Sequence, residues 1–321
     1  MVLSIILVSY NEVSYIREAI ESCINQKIDT DFEVIIGDDG STDGSIDVIK
    51  EYANNYPDLI KYYVMKRENE GEIIPSVRVS NLLKRGFSFA RGDYILLMSA
   101  DDLVLGENRV KNQIDFLNSH MNYSACYTDY QKFWKNGEKK VYTIKKSYSR
   151  GVFWALHYVH LSCFIFRKEV LSGLLDVFCD DTGLIFSIIK NGKIAHINSV
   201  GFGYRQREKS IMADSDKIEL ALCEMLLYQD ILNSGGLFLS SMAHFARPML
   251  ILRKNYKRIN NKYNKYVKYA NKKNNNVIQL FLGINSSLKK RLYVDFVIII
   301  AYLLKIIYIF KNVLELLFYK K

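Results

Sequence analysis

Cysteine is scarce here and poorly placed for any framework. Cys23, Cys126, Cys163, Cys179 and Cys223 are odd in number, widely separated and include no Cys-x-x-Cys pair. That spacing argues against a disulfide scaffold and a zinc site, and favours a reducing cytoplasm. Proline is rarer still, with three in 321 residues; beside abundant Lys, Asn, Ile and Tyr this fits AT-rich coding DNA. No internal repeat is found. Val2 to Val8 reads as a strand with no basic flank or cleavage site, so no signal peptide is expected. A long apolar run is also missing. Asp295, Lys305, Lys311 and Glu315 break up Tyr293 to Tyr319, and Phe296 to Leu304 is about half of the ~20 residues that span a bilayer. An interfacial helix behind Lys289-Lys290-Arg291 is expected in place of a spanning one, with a core helix as the alternative.

What is present is ordinary globular composition, 49% hydrophobic and 24% charged, long enough for one large domain plus an extension. The net charge of +10 is unevenly spread. From Ile231 onward, 17 Lys and Arg face only Asp295 and Glu315, a balance of +15; residues 1–230 carry 27 basic and 32 acidic groups, a balance of −5. Such a shift marks a domain boundary or an arm that meets an anionic surface.

Two apolar runs each stop at an acidic pair. Phe32 to Gly37 ends at Asp38-Asp39, and Tyr94 to Ala100 ends at Asp101-Asp102. Short apolar runs bounded by turn signals read as buried parallel strands, and ligands of open α/β sheets bind at their carboxyl ends. Four carboxylates at one edge repel each other unless a cation or donor-rich ligand shares the site. Mg²⁺ or Mn²⁺ with a nucleotide diphosphate would satisfy it.

Around these runs, strands are expected at Leu3–Ser9, Phe32–Asp38, Ile60–Val64, Tyr94–Ser99, Tyr123–Tyr127 and Leu161–Phe166. Helices are expected at Ser14–Gln26, from Ser41 to about Tyr56, within Ser76–Ala90, and near Glu107–Leu117, Lys168–Phe178 and Thr182–Lys190. The alternation implies an α/β fold with a mainly parallel sheet between helices.

Four blocks then appear in order: Ser4 to Glu12; Ile36 to Asp43; Ala90 to Ile95 with Ser99-Ala100-Asp101-Asp102; and Cys179 to Leu184 followed by Tyr204-Arg205 and Ser210. Together they resemble the inverting family-2 glycosyltransferases of the GT-A fold, bacterial surface-polysaccharide type, over about residues 2–212. The resemblance implies a GT-A domain over 1–215 and a basic helical extension over 216–321. It implies a nucleotide-sugar donor, most simply a UDP-sugar, held by Ser9, Tyr10, Asn11, Glu12, Asp38, Asp39, Asp101, Arg205 and Arg207. Asp39 would accept from the uracil imide, and Asp38 would help hold the base or ribose. Asp102, with Asp101, would bind Mn²⁺ or Mg²⁺, in a variant motif with Ser99 where many members have Asp. Asp181, or alternatively Asp180, would be the base of an inverting transfer. The family's His between Tyr-Arg and Ser is Arg207 here, which cannot ligate a cation but pairs well with phosphate. His157, His160 and His196 read as ordinary packed or surface histidines.

The acceptor implied is a glycan or lipid-linked hydroxyl, and the location cytoplasmic, peripheral at the inner face of the cell membrane. Arg253 to Lys273 interleaves Lys and Arg with Tyr256, Tyr263, Tyr266 and Tyr269 at helical spacing. That pattern suits an anionic lipid surface, RNA binding, or simply a solvated charged face; the membrane is the reading taken here. A nucleotidyltransferase also needs acids at strand ends, but would carry a Gly-rich phosphate loop that Ser9-Tyr10-Asn11-Glu12 lacks. A nucleic-acid or membrane-binding module with a non-catalytic sheet is the rival of a different class.

Overall fold

The computed structural model describes residues 2–67, 74–143, 159–172, 181–207, 216–233, 247–252, 254–255, 263 and 265–266, with backbone alone at 75, 181–182 and 228–233. Four strands, β1 (Leu3–Ser9), β2 (Phe32–Asp38), β3 (Ile60–Val64) and β4 (Tyr94–Ser99), pair in parallel in the order β3-β2-β1-β4. They alternate with α1 (Ile16–Ile24), α2 (Ser45–Asn55) and α3 (Pro75–Phe89). β1 and β4 are apolar along almost their whole length because helices cover both faces, as central parallel strands require.

Beyond β4 the sheet becomes mixed. β8 (Phe164–Arg167) pairs antiparallel with both β4 and β6 (Tyr123–Trp134), and β6 runs parallel to β9 (Lys193–Gln206). The two-residue β5 (Leu103–Val104) pairs antiparallel with β9, and β7 (Lys139–Tyr142) forms a hairpin with β6. Helices α4 (Arg109–Ser119), α5 (Asp181–Asn191) and α6 (Lys217–Asn233) complete the described elements. The α/β sandwich expected from the sequence is therefore present, with its parallel half first and its antiparallel partners later in the chain. Of the helix expected near Lys168–Phe178, the described part is a 3₁₀ turn over Lys168–Leu171. Residues 173–180 lie outside the described residues.

One continuous core runs through the sheet, and Tyr127, Phe164, Phe166 and Phe202 are among its largest fully buried side chains. Among the carboxylates buried beside it is Glu33 on β2. It accepts from Ser4 Oγ at 2.8 Å, from the Arg91 amide at 2.7 Å and from Arg91 Nε at 3.0 Å. Burial alone would raise its pKa; the Arg91 and Ser4 hydrogen bonds hold it below the ordinary value. Next to Arg91, Gly92 donates to Ser4 Oγ at 2.8 Å, and a Cβ there would meet the Leu3–Ser4 backbone at 2.5 Å. The Arg-Gly-Asp turn before β4 is thus a brace locking β4 onto β1 and β2.

α6 packs against α5, and Ser76 Oγ of α3 lies 3.1 Å from Cys223 Sγ of α6. The start of the expected extension therefore rests on the sheet domain. Two tyrosines of the basic stretch are also inside. Tyr266 is fully buried, and Tyr263 donates to Asp216 Oδ2 at 2.7 Å. Lys265 Nζ stands 3.5 Å from Glu219. This corrects the expectation that these residues face a lipid surface. Their helical spacing reflects packing on α6. Most of Arg253–Lys273 and all of Tyr293–Tyr319 lie outside the described residues. Among the described residues, no helix is long and apolar enough to cross a membrane.

Candidate donor site

Strand register brings the acidic pairs together. Ser9 lies opposite Asp38, and Val8 opposite Ser99, so the carboxyl ends of β2, β1 and β4 stand side by side. The loops that follow are stitched to one another. The Asn11 amide donates to Ser41 Oγ at 2.8 Å, Glu12 to Ser45 Oγ at 2.8 Å and Val13 to Asp43 Oδ2 at 2.9 Å. Asn11 answers by accepting from the Thr42 amide at 2.9 Å, and adopts a left-handed φ of 54°. Ser41 and Asp43 act mainly as cross-links between the two loops. Three consecutive backbone amides of this loop, those of Asn11, Glu12 and Val13, are therefore already used.

Asp38 is fully buried, and its two oxygens accept from the Ser41 amide at 2.7 Å and from Ser41 Oγ at 2.6 Å. It shapes the turn, in which Gly40 takes φ +77°, and so presents Asp39. Burial raises the pKa of Asp39, opposed by the guanidinium groups of Arg78 and Arg67. Arg78 Nε lies 2.9 Å from its carboxylate and Arg67 Nη2 3.3 Å. Arg67 also stacks on the Tyr10 ring, 3.6 Å from its centroid. Tyr10 and Asp39 therefore form an aromatic face beside an arginine-flanked acceptor. Neither arginine was singled out in the sequence; one follows β3 and the other lies in α3, with no local motif to mark them.

The second pair is completed by β9. Because β5 pairs with β9 through Leu103–Gly203 and Val104–Phe202, the end of β9 arrives over Asp101 and Asp102. The Arg205 amide donates to Asp102 Oδ1 at 2.9 Å, and Arg205 Nε to the Asp101 carbonyl at 2.8 Å. The Arg205 guanidinium lies 4.6 Å from the ring centroids of both Tyr15 and Phe133, with Nη2 2.6 Å from Glu18. Arg207 Nη1 donates to both Glu12 oxygens at 3.0 Å, and Nη2 stands 2.6 Å from Asp101 Oδ2.

Charge is in surplus here. Burial first, then the Asp101 charge, push the Asp102 carboxyl well above the usual range. The same two causes raise Glu12 to about 7 despite Arg207. Such groups fit a hard divalent cation, which takes oxygen ligands and commonly binds one or two carboxylates with substrate phosphates supplying the rest. Among the described residues, no three His, Cys, Asp or Glu side chains form a ready-made cage. His196 Nε2 is paired with Asp129 at 2.8 Å, and His160 caps a 3₁₀ turn and packs on Phe202 and Tyr204. His157 lies outside the described residues.

Asp181 is the first residue of α5, whose buried Leu184, Ile185, Ile188 and Ile189 anchor it beneath β6. Ser124 Oγ donates to the Ile188 carbonyl at 2.8 Å, fixing the helix along its length. The Asp181 side chain, Asp180 and Ser210 lie outside the described residues.

The sequence profile of glycosyl transferase family 2 matches residues 4–175, which hold both acidic pairs, the brace and the first four strands. The chain belongs to this family. Among similar proteins, the minor teichoic acid biosynthesis protein GgaB of Bacillus subtilis (strain 168) is 38% identical over 120 residues, 37% of this chain and 12% of GgaB. The chain spans well under half the length of the curated relatives it first matches. Among solved structures, S. aureus TarS 1-349 in complex with UDP-GlcNAc superposes with TM-score 0.59 at 17% identity, covering 94% of this chain and 89% of the TarS 1-349 chain. The mannosyltransferase PcManGT from Pyrobaculum calidifontis, solved with GDP-Man and Mn2+, gives TM-score 0.52 at 15% identity, covering 99% and 88%. These likenesses establish the GT-A fold. Tyr204 to Arg207 lie beyond the matched stretch.

Proposed function

We propose that this family-2 glycosyltransferase moves a sugar from a UDP-sugar to an acceptor hydroxyl with inversion at the anomeric carbon. The observation that carries this is the adjacency of Tyr10, Asp39 and Asp101-Asp102 on neighbouring strand ends. A base, a ribose and a diphosphate can lie across them in that order. Asp39 accepts the imide N–H of uracil in a charge-assisted bond, with Arg78 close enough to donate to a ring carbonyl. Tyr10 offers a ring face, and Asp101 and Asp102 would hold a divalent cation. That cation, Mn²⁺ or Mg²⁺, neutralises the leaving diphosphate when bound. Arg205 positions Asp102 through its amide. Asp181, or Asp180 beside it, takes the proton of the acceptor hydroxyl as that oxygen attacks the anomeric carbon and UDP leaves. The TarS complex with UDP-GlcNAc supports the choice of nucleotide.

The acceptor we infer is a growing glycan on a lipid carrier, in the setting of bacterial surface polysaccharide assembly. GgaB, a teichoic acid protein, supports that setting. A panel of nucleotide sugars with Mn²⁺ tests the donor: UDP-sugars are expected to be hydrolysed fastest. With an α-linked UDP-hexose the product is expected to be a β-glycoside by NMR, since a single base acting on the acceptor hydroxyl gives a single displacement. An α-glycoside would overturn the inverting mechanism.

The +15 balance after Ile231 also supports a basic extension within residues 216–321, its start packed on the sheet domain, at the inner, anionic face of the membrane. Each Lys or Arg near such a surface contributes on the order of 1 kcal/mol, screened by salt. Binding to anionic liposomes is expected at low salt and to weaken at high salt, read by co-sedimentation. No binding at low salt would make the extension a packing or oligomerisation module.

A further inference from the structure

Arg207 stands where the family motif carries His, and it is fully engaged. Its Nη1 takes both oxygens of Glu12, from the loop after β1, at 3.0 Å each; its Nη2 lies 2.6 Å from Asp101 Oδ2, in the loop after β4. The guanidinium is therefore the positive charge between two carboxylates that a hard cation would otherwise draw. Asp102 Oδ1 is separately occupied by the Arg205 amide at 2.9 Å, so Asp101 is the member of the pair whose charge Arg207 holds. A guanidinium cannot enter a metal's ligand shell, and its flat fork matches phosphate oxygens as well as carboxylate ones. Arg207 also sits near the Tyr15 ring, 5.8 Å from its centroid. It remains only partly buried, so its side chain has room to turn.

We propose that Arg207 is a built-in counter-cation that exchanges partners. In the donor-free protein it bridges Glu12 and Asp101. When the donor arrives it turns to the diphosphate and leaves Asp101 to the divalent cation. This rests on the nucleotide-sugar reading above for the identity of the diphosphate. The cation and Arg207 then compete for one carboxylate, while nucleotide and cation assist each other. Linkage makes that assistance reciprocal. Where the family's His would add to metal binding, Arg207 makes metal binding conditional on the donor.

The test is Mn²⁺ titration of the nucleotide-free, full-length chain by EPR, comparing wild type with Arg207→Gln and Arg207→Lys. Removing the competitor is expected to tighten Mn²⁺ in Arg207→Gln by a factor of roughly 5–150, the usual range of coupling between sites. Arg207→Lys keeps a cation and is expected to stay close to wild type. UDP measured calorimetrically in EDTA is expected to bind Arg207→Gln more weakly than wild type. Unchanged or weaker Mn²⁺ affinity in a folded Arg207→Gln protein would overturn the competition. A readout needing no variant is the Arg207 Nε–H NMR signal of the wild type, expected to shift when UDP is added in EDTA. A stationary signal with UDP bound overturns the exchange. Absence of UDP binding in wild type would overturn the donor reading and the diphosphate half of the exchange. The nucleotide-free Mn²⁺ comparison is independent of it.

Discussion

Asp102→Asn is expected to lower turnover of a UDP-sugar by about 10²–10³-fold, the scale of losing one preorganised electrostatic contact to a developing charge. The asparagine keeps an oxygen for the Arg205 amide, which now donates to Asp102 Oδ1 at 2.9 Å. It removes only the charge. Alanine would remove both, stranding a backbone N–H at a cost of about 1–3 kcal/mol, and would add a stability loss to the catalytic one. The residue is almost wholly buried at the β4–β9 junction, so the two variants are expected to separate. Thermal melting should leave Asp102→Asn near wild type and lower Asp102→Ala. Calorimetry should show UDP affinity that depends on Mn²⁺ in wild type and hardly at all in Asp102→Asn. Normal turnover by Asp102→Asn, or UDP affinity in wild type that EDTA leaves unchanged, would remove this carboxylate from metal binding.

A still larger effect is expected of Asp181→Asn, because the substitution deletes the group proposed to take the acceptor's proton. The amide keeps shape and hydrogen bonding but no useful basicity, and kcat is expected to fall by about 10²–10⁴-fold. UDP affinity should hardly move, since the proposed donor contacts lie at the ends of β1, β2, β4 and β9 and not on α5. α5 begins at Asp181, and the N-terminal end of a helix favours an anion. Near-normal kcat would shift the role to Asp180 or eliminate it. A parallel fall in UDP affinity would make Asp181 a binding group.

How far the sequence carried these assignments depends on the kind of residue. β1, β2 and β4 fall on the residues expected of them, because parallel strands covered on both faces must be nearly continuous apolar runs. β9 was not legible. Its sequence Lys-Ile-Ala-His-Ile-Asn-Ser-Val-Gly-Phe-Gly-Tyr-Arg-Gln mixes polar, aromatic and glycine residues, since it is only partly covered and pairs with β6 through bulges. β6 was read to Tyr127 but continues to Trp134, where its outer half is held by β7 and β9 and carries no continuous apolar signal. In the site, the acidic pairs could be read from local pattern. Arg67 and Arg78 could not, since a basic residue near an acid far away in sequence leaves no local trace.

The contact between Arg205 and Asp102 joins residues 103 positions apart, and that between Arg207 and Glu12 spans 195. A ribosome making this chain releases both acidic pairs long before the strand that completes one of them. Until β9 emerges and pairs with β5, Asp101 and Asp102 stand without their arginines, and the parallel half of the sheet can form with an unfinished site. Such long-range closure is slow compared with local folding. Activity should therefore be the last property the nascent protein acquires, and a truncation ahead of Lys193 should leave an ordered sheet that cannot transfer sugar.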